Sequence, residues 1–329
     1  MTFTMFSTSL AMSLLQGLHH VACVTSCAWQ LPTNMILAFV AILSYHFGQR
    51  TGCVPRQPAA SRSPTVPELS PSQLATIMSP RPVVVMPTLT SNEHQLAKLR
   101  VAIESVLLAG GTLILVDDGS PMDLRPLCKA GEPVLLVRHD KNLGPGAARN
   151  TGVRVATQLL NPSFIAFTDS DCKVDKAWLW RHAERQLRYP GVWCGQTAAL
   201  QPGTVGRYHD LMGTLNGRRL SEGLLYGATC NMSCHKSILS HHLFDERFPA
   251  AAFEDVEFCV RLIKHGVTPL YDEHALVRHD FETTVGAFAK QFFRYGTAHP
   301  LMHILHPEYS KWYAMSTDIA VSVNRSPAY

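Results

Sequence analysis

This chain lacks any apolar run of the about 20 residues that a membrane-spanning helix needs. Residues 9–47 are apolar, but Gln16, His19, His20, Gln30 and Pro32 interrupt them, and the cleaner stretch Met35–Phe47 is only 13 residues long. No basic start precedes this stretch, which argues against a secretory leader. Framework cysteine spacing is missing too. The nine cysteines are scattered through a chain too long to need staples, so we expect reduced thiols in a cytosolic compartment. Cys230, Cys234 and His235 have no second ligand pair at finger spacing, which favours small core residues over zinc. Blocks of like charge are absent. A net charge of +4, with no basic cluster interleaved with aromatics, gives no footprint for nucleic acid. Internal repeats are absent as well.

The charge that is present is unevenly placed. Before Met78 the only formal charges are Arg50, Arg56, Arg62 and Glu68, and the rest of the chain carries 26 basic and 24 acidic residues. We therefore divide the 329 residues into an apolar amino-terminal segment (1–49), a Pro/Ser-rich linker (50–77), a globular domain (78–298) and a carboxy-terminal tail or helix (299–329). Membrane contact, if any, is expected through residues 9–47. The arginines that follow would then keep the main domain cytoplasmic. Met78 stands just before the first strand as an alternative start, so the first 77 residues are expected to be dispensable for folding and activity.

Within the globular part, strands and helices alternate. Pro82–Met86 is a continuous apolar run ended by Pro87. Glu93–Leu108 has helical spacing, with Leu96, Leu99, Ile103, Val106 and Leu107 as its stripe. Leu113–Val116, Val134–Val137 and Phe164–Thr168 read as further strands, and a helix runs from Ala147 to about Leu160. This alternation predicts a Rossmann-like, mostly parallel sheet with helices on both faces. Ligands of such sheets bind beyond the carboxyl ends of the strands. Pro87-Thr88, Asp117-Asp118 and Asp169-Ser170-Asp171 all fall at such ends. Two carboxylates at i and i+2 on a strand point the same way and suit a hard divalent cation. Gly144 and Gly146 could let backbone approach a phosphate at a helix start or make a tight turn. His299, His303 and His306 share a helical face without a carboxylate partner, and we read them as a solvated or acceptor-facing stripe.

These blocks, in this order, resemble the family 2 glycosyltransferases of GT-A fold. The likeness runs from about Pro82 to Gly296. It is carried by Val83–Thr88, Leu115–Ser120, Asn142–Gly152, Asp169–Asp171, Phe244–Phe248 and Phe253–Phe258. The resemblance implies a single catalytic GT-A domain that moves a sugar from a UDP-sugar donor to a small-molecule or saccharide acceptor, with Mn2+ or Mg2+ as cofactor. It implies Pro87, Thr88 and Asp118 at the uracil and ribose, and Arg149 near the nucleotide. It also implies Asp171 on the metal and Asp169 on the ribose or a metal-bound water. His279 matches a further metal ligand of some relatives, and a strand-edge histidine is the equal alternative. Asp255 is the implied catalytic base, with Glu254 in support. Gln291 and Arg294, in Gln291-Phe292-Phe293-Arg294-Tyr295, resemble a Q-x-x-R-W motif at the acceptor or diphosphate, with Tyr295 replacing tryptophan.

Two other classes compete with this reading. A sugar nucleotidyltransferase would place a glycine-rich loop with Arg and Lys after the first strand, where this chain has Thr88-Leu89-Thr90-Ser91-Asn92. A non-catalytic nucleotide-sugar-binding protein would have lost the triplet or Glu254-Asp255, and both are intact.

Overall fold

The computed structural model describes residues 82–129 and 131–321. The segments 1–49 and 50–77 and the Met78 start lie outside the described residues. Among the described residues, no helix is long and apolar enough to cross a membrane.

In chain order the elements begin with β1 (Val83–Thr88), α1 (Glu93–Leu108), β2 (Thr112–Asp117), β3 (Val134–Arg138), α2 (Pro145–Leu159) and β4 (Phe164–Phe167). There follow β5 (Cys172–Val174), α3 (Trp178–Arg188), β6 (Val192–Ala199), α4 (Thr204–Met212), β7 (Arg218–Arg219), β8 (Leu224–Tyr226), β9 (Met232–His235) and the short α5 (Lys236–Leu239). The chain then forms α6 (Glu254–Lys264), β10 (Leu270–His279), α7 (Val285–Leu305), α8 (Tyr309–Met315) and β11 (Thr317–Asp318).

Eight strands form one sheet in the order β3-β2-β1-β4-β9-β6-β10-β5. The pairs β3–β2, β2–β1, β1–β4 and β6–β10 are parallel, and the pairs involving β9 or β5 are antiparallel. Only β9 and β5 therefore run against the rest, and the sheet is mostly parallel as expected. A small sheet, β11-β7-β8, flanks it.

The central strands are apolar along most of their length because both faces are covered. Val84 and Met86 of β1 join Leu113 and Leu115 of β2 in a core beneath α1 and α3. Val83 and Val85 join Ile114 and Val116 in a second core beneath α2 and α6. Alternate residues thus feed opposite layers, as the pleat requires. The pairing of β1 with β4 stops at Val85, two residues before Pro87, which has no N–H to give a ladder. Asn92 caps α1 by accepting from the Gln95 N–H. Helix α2 lies so close to β1 that a Cβ at Gly152 would come within 2.4 Å of Val85 Cγ1.

The carboxy-terminal helices belong to the same body. Met302 of α7 and Tyr309 pack with Leu225, Val256 and Val260. Position 298, the expected end of the globular domain, falls inside α7. The apolar faces of α6 and β8 need this cover.

One buried amide ties β6 and β10 to α3. Asn231, 1% exposed, accepts from Trp178 Nε1 at 2.8 Å and donates to the carbonyls of Gln196 and Ala275 at 2.9 and 2.8 Å. Asn231→Ala removes a partner from the Trp178 indole and from the Gln196 and Ala275 carbonyls, and a buried group left unpaired costs about 1–3 kcal/mol. We predict a loss of about 2–5 kcal/mol in stability, measured by chemical denaturation. A midpoint equal to that of the parent chain would refute it.

Candidate active site

The strands β1, β2, β4, β6 and β10 run the same way, so their carboxyl ends share one edge. Thr88 ends β1, Asp117 ends β2, Asp169-Ser170-Asp171 follows β4, and His279 ends β10. The start of α6 adds Glu254 and Asp255 to this edge.

Arg149 on α2 holds the acids together. Its side chain is 3% exposed, and it donates to Asp169 Oδ1 at 2.7 Å and to Glu254 Oε1 at 2.8 Å. Burial alone would lower its pKa, but the charges of Asp169 and Glu254 outweigh burial and raise it. It is not a surface helix arginine: its charge is spent on protein carboxylates at this edge.

Asp255 is half-buried beside this pair. Burial pushes its pKa up to about 7, Glu254 pushes the same way, and Arg149 pulls down. Asp255 Oδ1 accepts from the Val256 N–H at 2.8 Å. The residue before the pair, Phe253, has φ +68, a left-handed conformation that costs a bulky residue about 1–3 kcal/mol. Such strain persists only where packing over-determines it, here by ring contacts to His299 at 5.6 Å and Tyr309 at 6.2 Å.

Asp171 lies across the edge from Asp169. Burial raises its pKa, His279 and Lys98 lower it, and Asp169 raises it. His279 Nε2 is 3.4 Å from Asp171 Oδ1. Asp171, Cys172 and His279 each offer a donor atom, all within 4.8 Å of one another. The sequence reading grouped Asp169 with Asp171 and His279. In the structure Asp169 Oδ1 is held by Arg149, and Cys172 stands beside Asp171 and His279.

The other expected contacts are distributed as follows. Pro87 and Thr88 are buried, and the Thr88 hydroxyl is 3.0 Å from that of Thr90. Asp118 accepts from the Leu143 and Gly144 N–H groups at 2.9 and 2.8 Å and lies 2.7 Å from His139 Nδ1, so it anchors the loop before α2. Gly144 has φ +94 and abuts the Pro249 carbonyl, which gives it a turn role. Gln291 donates to the Tyr295 hydroxyl at 2.8 Å, and Arg294 is exposed, its guanidinium 5.9 Å from the Tyr295 ring centre. Burial pushes Tyr295 up to about 12, with Asp255 and Glu254 adding to the rise. The Phe253 ring meets His299 of α7 at 5.6 Å, which brings α7 beside the acidic pair.

The histidine stripe splits. His299 and His303 face each other at 3.3 Å, whereas His306 Nε2 is 3.2 Å from Glu257 Oε1. A carboxylate does stand by His306, contrary to the sequence reading, because the chain turns at the end of α7 and returns it to α6. Cys230 and Cys234 are buried free thiols, as are Cys172, Cys194 and Cys259, and Cys128 is a half-buried one.

Sequence reasoning missed Cys172 and Lys98. Cys172 directly follows the triplet and had a usable signal in that adjacency. Lys98 meets Asp280 at 3.4 Å across 182 positions, and nothing in its helical spacing marks the contact.

The glycosyl transferase family 2 model matches residues 83–248, which span β1 through the Phe244–Phe248 block. The chain belongs to glycosyl transferase family 2. The pre-mycofactocin glycosyltransferases of Mycobacterium tuberculosis strains CDC 1551 / Oshkosh and ATCC 25618 / H37Rv are each 31% identical to it over 262 residues. Those matches cover 71% of this chain and 52% of each relative, so the chain spans about half their length. Among solved structures, S. aureus TarS 1-349 in complex with UDP-GlcNAc is 16% identical, with a TM-score of 0.47 over 61% of this chain and 59% of that one. A longer S. aureus TarS structure gives 16% and 0.44 over 64% and 38%. Likenesses of this size bear on neither donor nor acceptor.

Breaking the buried bridge is the sharpest structural test of the family 2 edge. Arg149→Gln leaves Glu254 buried and unpaired, and removing one partner of such a pair costs about 3–5 kcal/mol. We predict a destabilisation of that size by denaturant titration. A loss within the about 0–1 kcal/mol of a solvated pair would show that water already screens the cluster.

Proposed function

We propose that this chain transfers a hexose such as glucose from a UDP-sugar to a hydroxyl of a small-molecule or saccharide acceptor. The reaction is non-processive, assisted by a divalent cation, and inverts the anomeric centre. The observation that carries this reading is a half-buried carboxylate, Asp255, with a pKa of about 7, joined through Glu254 and Arg149 to the triplet beyond β4.

An acceptor hydroxyl has too high a pKa to attack unaided. Asp255 takes its proton as the bond to the anomeric carbon forms. A base is most effective when its pKa lies near the working pH, and burial beside Glu254 supplies that shift. Glu254, paired with Arg149, keeps the start of α6 oriented. Asp169, held on one oxygen, presents the other side of its carboxylate to the ribose. The donor set at Asp171 and His279 fits a divalent cation, which when bound would screen the charge that builds on the departing diphosphate. Asp118 fixes the loop beside the base pocket, and Tyr295 on α7 borders the acceptor side.

Two measurements test this. Asp255→Asn should lower turnover about 100- to 10,000-fold, the usual contribution of a general base, while donor affinity is unchanged. In the parent chain kcat/KM should rise with pH through about 7 as Asp255 loses its proton, and the variant should lack that limb. An α-UDP-sugar should yield a β linkage by NMR, and an α product would overturn single displacement. Asp171→Asn should cost at least about 100-fold, the scale of a principal electrostatic stabiliser, and full activity in EDTA would reject the cation.

A further inference from the structure

Strand β5 pairs antiparallel with the end of β10, and the register sets His279 directly opposite Cys172. Directly opposed residues bring their Cβ atoms to about 4.5–5.5 Å. The Asp171 carbonyl accepts from the Asp280 N–H at 2.8 Å, which extends the same register by one residue. A carboxylate, a thiol and an imidazole therefore converge, with donor atoms within 4.8 Å of one another. Asp169, which would complete an all-oxygen pair, is turned to Arg149 at 2.7 Å.

The imidazole is held by packing. The His279 ring stacks on Phe281 at 4.5 Å, and Phe281 stacks on His209 at 4.0 Å. Its Nδ1 is buried without a hydrogen-bond partner, while Nε2 faces Asp171. Magnesium requires near-octahedral oxygen and keeps its waters. Thiolate with imidazole selects zinc and its borderline neighbours, and three protein ligands leave a fourth tetrahedral position open.

We propose that Asp171, Cys172 and His279 form a thiophilic cation site that binds Zn2+, or Co2+ as its optical substitute, more tightly than Mg2+. As the metal–sulfur bond forms, the Cys172 thiol gives its proton to solvent. The inference rests on the cation position of the proposed function but not on sugar transfer. It adds Cys172, a soft ligand, to the Asp171 and His279 that the resemblance implies.

The test uses the full chain stripped of metal, with metal alone and neither donor nor acceptor present. Co2+ should produce a near-ultraviolet thiolate-to-cobalt charge-transfer band that equimolar Zn2+ removes and excess Mg2+ does not. Cys172→Ser and Asp171→Asn should abolish the band and weaken Zn2+ by at least the ~10- to 100-fold that loss of an outer partner costs. Cys128→Ser should leave it unchanged. Zinc-edge X-ray absorption of the parent chain should show a sulfur neighbour at about 2.3 Å, a readout that does not depend on any variant folding. A missing sulfur shell, a band that survives Cys172→Ser, or displacement of Co2+ by Mg2+ would overturn the proposal. A band together with absent sugar transfer would leave this site standing and defeat the proposed function instead.

Discussion

The Arg149 guanidinium is the constraint on which the rest of the edge depends. A buried cation is tolerated only if its charge is matched, and no single carboxylate can satisfy its planar fork. Asp169 and Glu254 both serve it, one from the end of β4 and one from the start of α6. The position of α6 is thereby tied to the sheet at a place where no backbone ladder reaches. Phe253, with its left-handed φ, stands directly before Glu254 where α6 begins.

That arrangement gives three acids three different conditions. Glu254 is deeply buried and paired. Asp255, its neighbour, inherits the burial without the partner, and its pKa rises to about 7. Asp171 is raised by burial but faces an imidazole and, farther off, Lys98. The differences come from what each group touches rather than from residue type. Two adjacent carboxylates on one helix can therefore divide into a support and a proton acceptor.

The first half of the fold was legible because its signals are local. Val83–Thr88 and Thr112–Asp117 are buried on both faces and read as unbroken apolar runs, and Glu93–Leu108 matches its expected limits residue for residue. Less of the second half was legible. The strands β5, β7 and β8 have two or three residues each, too few for periodicity to show. In β10, Asp272 is buried while Glu273 and His274 are exposed, and the bulge between Asp272 and Leu276 breaks alternation. The acids of the site were legible as motifs, but their partners were not. Arg149 meets Glu254 across 105 positions, and Asp118 spends itself on the loop before α2, which only folded geometry reveals.

The placement of Cys172 shows how far such a site depends on register. Val174 of β5 pairs with Val277 of β10, and both are buried in the core beneath α1 and α3. A slip of one residue would turn both valines out of that core. Burial therefore fixes the register, and the register sets His279 opposite Cys172. The exposed partners between them, Lys173 and Arg278, are like charges that add nothing to the pairing. The apolar pair thus carries the strand pairing that the ligand geometry needs. The chemistry at the edge of the sheet is set by two valines beneath it that touch no ligand themselves.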